Sequence, residues 1–263
     1  MPRFAANLSM MFTEAAFLDR FKAASEAGFK AVEFLFPYEH TREEVESKSK
    51  AAGIEIILFN MPAGNWGEGE RGITCIPGRE AEFRAGVEEA LSYALHLGTP
   101  RLHAMAGIVP AGADAAECRK TLIENLKYAA EKLAKHDITL LLEAINTRDM
   151  PGFLVSTQKD SHSICEAVGA PNLKMQMDLY HMQVMEGDLA TKLRQYASQC
   201  GHIQIAGCPE RHEPDSGEIR YEYLYRLIDD LGYKGWVGCE YCPAGKTSEG
   251  LSWFRNMTSA GTT

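Results

Sequence analysis

Short runs of β-branched, aromatic and other apolar residues recur along the chain, each followed by an amphipathic stretch of helical composition. Eight runs stand out: RFAANL (3–8), AVEFLF (31–36), IEIILFN (54–60), RLHAMAG (101–107), TLLLEAIN (139–146), LKMQMDLY (173–180), HIQIAG (202–207) and GWVGCEY (235–241). Most are nearly continuous in hydrophobicity rather than alternating, the pattern of parallel strands covered on both faces. The intervening segments cover 13–27, 41–52, 79–97, 114–136, 157–168, 188–198, 221–231 and 247–257. Several have readable ends. Thr13 is expected to cap the first and Gly28 follows it, Thr41 opens a T-R-E-E capping box, and Gly53 and Gly98 close later helices. Eight β-then-α units predict the α/β class and a (β/α)8 TIM barrel, ahead of an open doubly wound sheet. The 263 residues are expected to form a single domain, 1–263, because no composition shift or low-complexity linker interrupts them.

Two connections are longer than a barrel needs. MPAGNWGEGERGITCIPG (61–78) follows the third run, is dense in Gly and Pro, and carries Trp66 and Arg71; it is a candidate lid. CPERHEPDSGEIR (208–220) follows the seventh run and is strongly polar, with Arg211 and His212 among four carboxylates. Both are predicted to leave the C-terminal face, where barrel active sites lie.

Composition narrows the partners. Lys+Arg 27 against Asp+Glu 36 gives a net charge of −9, which disfavours a nucleic-acid binder. No apolar stretch approaches the roughly 18 residues of a membrane span, and the start lacks a signal-peptide pattern. The seven cysteines are odd in number and scattered, so reduced thiols and a cytoplasmic location are expected. The Cys239-x-x-Cys242 pair lacks the second pair a zinc site requires, and it sits at a strand end rather than opening a helix. A homo-oligomer is compatible with a barrel of this kind.

The candidate chemistry sits at the ends of the late strands: Glu143, Asp178, Gln204 and Glu240 all carry side-chain oxygen. Any one could pair with a nearby Arg or Lys, but four at equivalent positions point to a shared site. Oxygen ligands suit a hard divalent metal ion, Mg2+ or Mn2+ before zinc. His181, three residues after Asp178, is expected to polarise a substrate oxygen or support the metal. His103 on the fourth strand reads equally as a satisfied core histidine. Among the basic residues of the two long loops, Arg211 is the first candidate for a substrate-binding cation and Arg71 the second. Trp66 and Phe12 are expected to cover the pocket.

ANLSMMF, GERGITCIPGRE, ENLKYAA, LLLEAINTRDMPGF, QMDLYHMQ, HIQIAGCPERHEPDSGEI and GYKGWVGCEYCP together resemble the hydroxypyruvate isomerase family, whose members have the xylose-isomerase-like barrel. The resemblance runs from Arg3 to about Phe254. It implies a divalent metal held by Glu143, Asp178, Gln204 and Glu240, with Glu143 and Glu240 as the acid/base pair. It further implies interconversion of hydroxypyruvate and tartronate semialdehyde, or the same reaction on a 2-oxo-tetronate. Where relatives carry Glu-Pro-Ile-Asn this chain has Glu143-Ala144-Ile145-Asn146, which alters the stiffness of that loop. An epimerase on the same barrel, a metal-dependent endonuclease and a non-catalytic sugar-binding barrel are the rival classes. A ligand set with few histidines and net acidity weigh against the endonuclease.

Overall fold

In the computed structural model, which describes residues 1–259, eight parallel strands close in sequence order into a barrel. The last four positions of the expected span lie outside the described residues. The strands are β1 (Arg3–Asn7), β2 (Ala31–Phe34), β3 (Glu55–Asn60), β4 (Arg101–His103), β5 (Thr139–Glu143), β6 (Leu173–Asp178), β7 (Cys200–Ile205) and β8 (Trp236–Cys239). β8 pairs back onto β1, with Ala5 opposite Gly238. Around them run α1 (Phe17–Glu26), α2 (Arg42–Ala52), α3 (Glu80–Leu97), α4 (Ala115–Ala134), α5 (Gln158–Val168), α6 (Leu179–Met185), α7 (Leu189–Tyr196), α8 (Tyr221–Asp230) and α9 (Ser252–Ser259).

The two faces of each strand do different work. Phe4, Phe34, Phe59, Leu102, Leu142 and Val237 belong to the same buried core as Phe21, Phe83, Leu122, Ile164 and Ile228 of the helices. Fully burying each such side chain contributes roughly 1.5–3 kcal/mol. A second, small cluster of Ala5, Ala31, Ile57, Leu58 and Leu141 stands apart from that core. Side chains of one strand share a face at every second residue. Two positions beyond Ala5, Ala31 and Leu141 lie Asn7, Glu33 and Glu143, all buried. The register sets Asn7 beside Glu33, Glu143 beside Gln176, and Asp178 beside Gln204. A polar layer thus follows the apolar one toward the C-terminal ends of the strands.

Local chemistry explains most element ends. Thr41 accepts from the Glu44 amide while the Glu44 carboxylate accepts from the Thr41 amide, the expected capping box, and Gly53 and Gly98 end their helices in the left-handed conformation. Thr13 does not cap: α1 starts four residues later, with Ala16 at the cap position and no side-chain hydrogen bond there. The sixth run stops at Asp178 because that side chain accepts from the Tyr180 and His181 amides and starts α6, a helix the sequence reading missed. The last helix begins at Ser252 rather than near Thr247, whose amide and hydroxyl are tied to Glu14. The fourth and fifth strands end at His103 and Glu143, earlier than their apolar runs.

Candidate active site

Four buried side chains converge at the C-terminal end of the barrel. Ligand atoms of Glu143, Asp178, His181 and Glu240 all lie within 4.8 Å of one another. Glu143 ends β5, Asp178 ends β6, His181 lies in the first turn of α6 and Glu240 follows β8. Arg211 reaches the same point from the loop after β7: its Nη2 donates to Glu240 Oε2 at 2.9 Å and to Asp178 Oδ2 at 3.5 Å, and lies 3.3 Å from His181 Nε2. Its backbone is left-handed (φ 59). The Cys242 amide donates to the Arg211 carbonyl, so β8 and this loop fix each other.

Charge crowding sets the electrostatics. Burial pushes the Glu143 carboxyl well above the ordinary range, and the Glu240 and Asp178 charges push it further while Arg211 opposes them. Glu240 moves the same way, chiefly through burial, against the pull of Arg211. Burial drives His181 down to about 3, so it stays neutral. Its tautomer follows from Asn146. The Asn146 amide nitrogen donates to Asp149 and its oxygen accepts from the Asp149 backbone, so the same nitrogen faces His181 Nδ1 at 2.6 Å. Nδ1 therefore accepts, and the ring proton sits on Nε2, 3.8 Å from Glu143 Oε1. His103 Nε2 is 3.8 Å from Glu143 Oε2, while its Nδ1 meets Asn60 Oδ1 at 3.2 Å.

The donor set fits a divalent cation. Three carboxylates share one buried pocket, and the buried Glu143 Oε1 and His103 Nε2 have no hydrogen-bond partner. Gln204 adds an amide whose oxygen accepts from Gln176 Nε2 at 2.6 Å and whose nitrogen donates to Glu33 at 2.8 Å. Such oxygen-rich, charge-dense sets are matched by hard divalent ions.

The description xylose isomerase-like TIM barrel matches residues 21–257. A 2-oxo-tetronate isomerase of Cupriavidus necator is 56% identical over 97% of this chain and 98% of its own. A hydroxypyruvate isomerase of Escherichia coli is 49% identical over 97% of this chain and 98% of its own. The chain belongs to the hydroxypyruvate isomerase family of xylose isomerase-like barrels. Among solved structures, one from Brucella melitensis named AP endonuclease, family 2, superposes with a TM-score of 0.96 at 51% identity, covering 97% of this chain and 99% of that one.

Within this family frame the other residues singled out by sequence separate into two groups. His103, His181 and Arg211 adjoin the carboxylates. Trp66 and Arg71 instead pair with each other: the Arg71 guanidinium lies 4.1 Å from the Trp66 ring and donates to the Trp66 and Glu70 carbonyls, and Trp66 packs edge-on against Phe36. Phe12, expected over the pocket, is buried edge-on against Phe29. Cys239 and Cys242 are free thiols. The sequence reading missed Asn7, Glu33, Gln176 and His202, all buried beside the carboxylate cluster. A signal was present, since Asn7 and Glu33 are isolated polar residues inside otherwise apolar runs, where an unpartnered polar group is costly.

Proposed function

We propose that this isomerase moves a carbonyl between C2 and C3 of a small 3-hydroxy-2-oxo acid, converting hydroxypyruvate to tartronate semialdehyde and back. A hydroxymethyl group in place of one hydrogen on C3 gives the 2-oxo-tetronate version of the same reaction. The 56% identity to a 2-oxo-tetronate isomerase favours keeping that second substrate in view. The observation that carries the proposal is the convergence of Glu143, Asp178, His181 and Glu240 on one buried point with Arg211 beside them.

In this reading Glu143, Asp178, Gln204 and Glu240 hold the divalent ion. When bound, that ion supplies a Lewis acid for the adjacent carbonyl and hydroxyl oxygens of the substrate. The chain's own groups do the rest. One proton must leave C3 and one must arrive at C2, while an oxygen proton moves from O3 to O2, so two acid/base groups are needed. Glu143 ends β5 and Glu240 follows β8, three strands apart in the closed barrel, and so the two approach a substrate from different directions. Glu143, with its unpartnered Oε1, is assigned the carbon proton; Glu240, oriented by Arg211 and Asn7, handles the oxygen proton. The Nε2 proton of His181 is placed to donate to a substrate oxygen. Arg211, whose buried Nε has no partner, answers the substrate carboxylate.

Proton NMR in D2O tests this on metal-depleted and Mg2+- or Mn2+-repleted protein, with hydroxypyruvate and 2-oxo-tetronates. The expected result is metal-dependent isomerisation with solvent exchange at the migrating position, reduced about 10²- to 10⁴-fold in Glu240→Gln. Turnover only of the four-carbon acids changes the substrate and keeps the chemistry. Return of the proton to the same carbon with inverted configuration would identify an epimerase, and absence of turnover and exchange with every acid removes the assignment.

A further inference from the structure

Next to the site lies a buried hydrogen-bonded layer that the reaction does not directly use. Glu33, on β2, is 1% exposed, and both its oxygens are occupied. Oε2 meets His202 Nε2 at 2.6 Å; Oε1 accepts from Gln204 Nε2 at 2.8 Å and from Asn7 Nδ2 at 3.2 Å. Asn7 Nδ2 also lies 3.3 Å from Glu240 Oε1, while the Asn7 side-chain oxygen accepts from the Ser9 amide, which fixes which end of Asn7 faces the carboxylates. The barrel is shaped around this carboxylate. A Cβ at Gly238 on β8 would collide with it. The two register irregularities of the barrel fall at Val32/Glu33 and Met175/Gln176, where β2 and β6 enter the polar layer.

We propose that Glu33 is a positioning residue that determines which end of the Gln204 amide is offered to a cation, and that, through Asn7, it holds Glu240. This rests on the reading of Gln204 and Glu240 as metal ligands. The physical reason is donor–acceptor matching. A primary amide has an oxygen end and a nitrogen end of nearly equal size, and only the oxygen coordinates a hard cation. Glu33 Oε1 faces two N–H donors and serves as their acceptor, so turning the Gln204 oxygen toward it would set two acceptors against each other in a buried layer. The nitrogen end is therefore held on Glu33. Gln176 then donates to the Gln204 oxygen, which keeps a lone pair for a ligand. Outer-shell partners of metal ligands typically carry about 10- to 100-fold of metal affinity.

The test is Mn2+ binding to the intact protein by electron paramagnetic resonance titration, with thermal unfolding of each metal-free variant alongside. Glu33→Gln keeps shape but offers either end to Gln204; the expected result is Mn2+ affinity lowered about 10- to 100-fold. Gln204→Glu alone sets two carboxylates face to face and is expected to weaken binding as well. In the double variant a Gln amide meets a Glu carboxylate, complementarity returns with the partners exchanged, and Mn2+ is expected to bind more tightly than to either single variant. A merely structural Glu33 would lower the unfolding temperature and leave Mn2+ affinity within about twofold of the parent, which overturns the proposal. If Glu33→Gln does not fold, the double variant decides against Gln204→Glu: tighter Mn2+ binding supports the proposal, and equal binding overturns it. A parent protein that binds no Mn2+ removes both this inference and the metal reading of the site, whereas a parent that binds and a Glu33→Gln variant that binds equally removes this inference alone.

Discussion

Two buried histidines, His103 and His181, have their imidazoles pushed down to about 3 by desolvation. In the unfolded chain a histidine titrates near 6.5, so between those values the unfolded state binds protons that the folded state refuses. The stability they contribute is complete above about pH 6.5 and is lost as the pH falls from there toward 3, at about 1.4 kcal/mol per pH unit for each proton. Glu143 and Glu240 act with the opposite sign, because their raised values let the folded state hold protons the unfolded chain gives up. A comparison at constant carboxylates isolates the histidine: metal-free His103→Gln is expected to lose less stability than the parent between pH 7 and pH 5.5, measured by urea unfolding. An equal slope in the two proteins would show that His103 takes up its proton while folded. His103 shows how one residue type hides two roles in sequence. Only its contacts, Asn60 on one nitrogen and Glu143 facing the other, place it beside the site.

At the scale of elements, Asp178 joins strand, helix and site in one side chain. Its Oδ1 caps α6, accepting from the Tyr180 and His181 amides, while Oδ2 faces Arg211 and His181. The two functions are separable. Asn caps as well as Asp, so Asp178→Asn is expected to keep the metal-free unfolding temperature while weakening Mn2+ binding by more than about tenfold. Asp178→Ala is expected to lose about 1 kcal/mol of stability in addition. Calorimetry of binding and unfolding on the two variants checks both halves; equal stability of the two would show the cap to be energetically idle. Strand positions were legible because runs such as TLLLE and IEIILFN are apolar enough to be covered on both faces. Their ends were less so, since Leu179 and Tyr180 continue the apolar run and only the capping contact of Asp178 turns them into a helix. Thr13 failed as a cap for the converse reason: a residue with the right side chain is a cap only where the backbone begins the helix.

The closed barrel turns scattered positions into one charged point, and holding those charges in a buried site costs free energy that a bound cation would offset. Three carboxylates share the buried site, with one guanidinium among them. A divalent ion bound only by the folded state adds stability by mass action, about 2.7 kcal/mol at a hundredfold excess over its dissociation constant. For a chain of this size that corresponds to an unfolding temperature about 5–10 °C higher, reversed by chelator and cut to about half or less in Asp178→Asn. Scanning fluorimetry with Mg2+ and Mn2+ reads it directly, and an unchanged midpoint would remove the ion from the site. The sequence by itself determined the repeating β-then-α order, hence the (β/α)8 class, and marked Glu143, Asp178, Gln204 and Glu240 as polar ends of apolar strands, because burial patterns are periodic and local. Family-specific motifs added the reaction class. Tertiary structure alone decided which of the separated loops reaches the carboxylates. Arg211 does, because its loop is bonded to the Cys242 amide after β8, whereas Arg71 is held on Trp66. It alone brought Asn7, Glu33 and His202 together from β1, β2 and β7, since the Glu33–His202 contact crosses the barrel interior, the Asn7–Glu33 contact depends on strand register, and neither has a period along the chain.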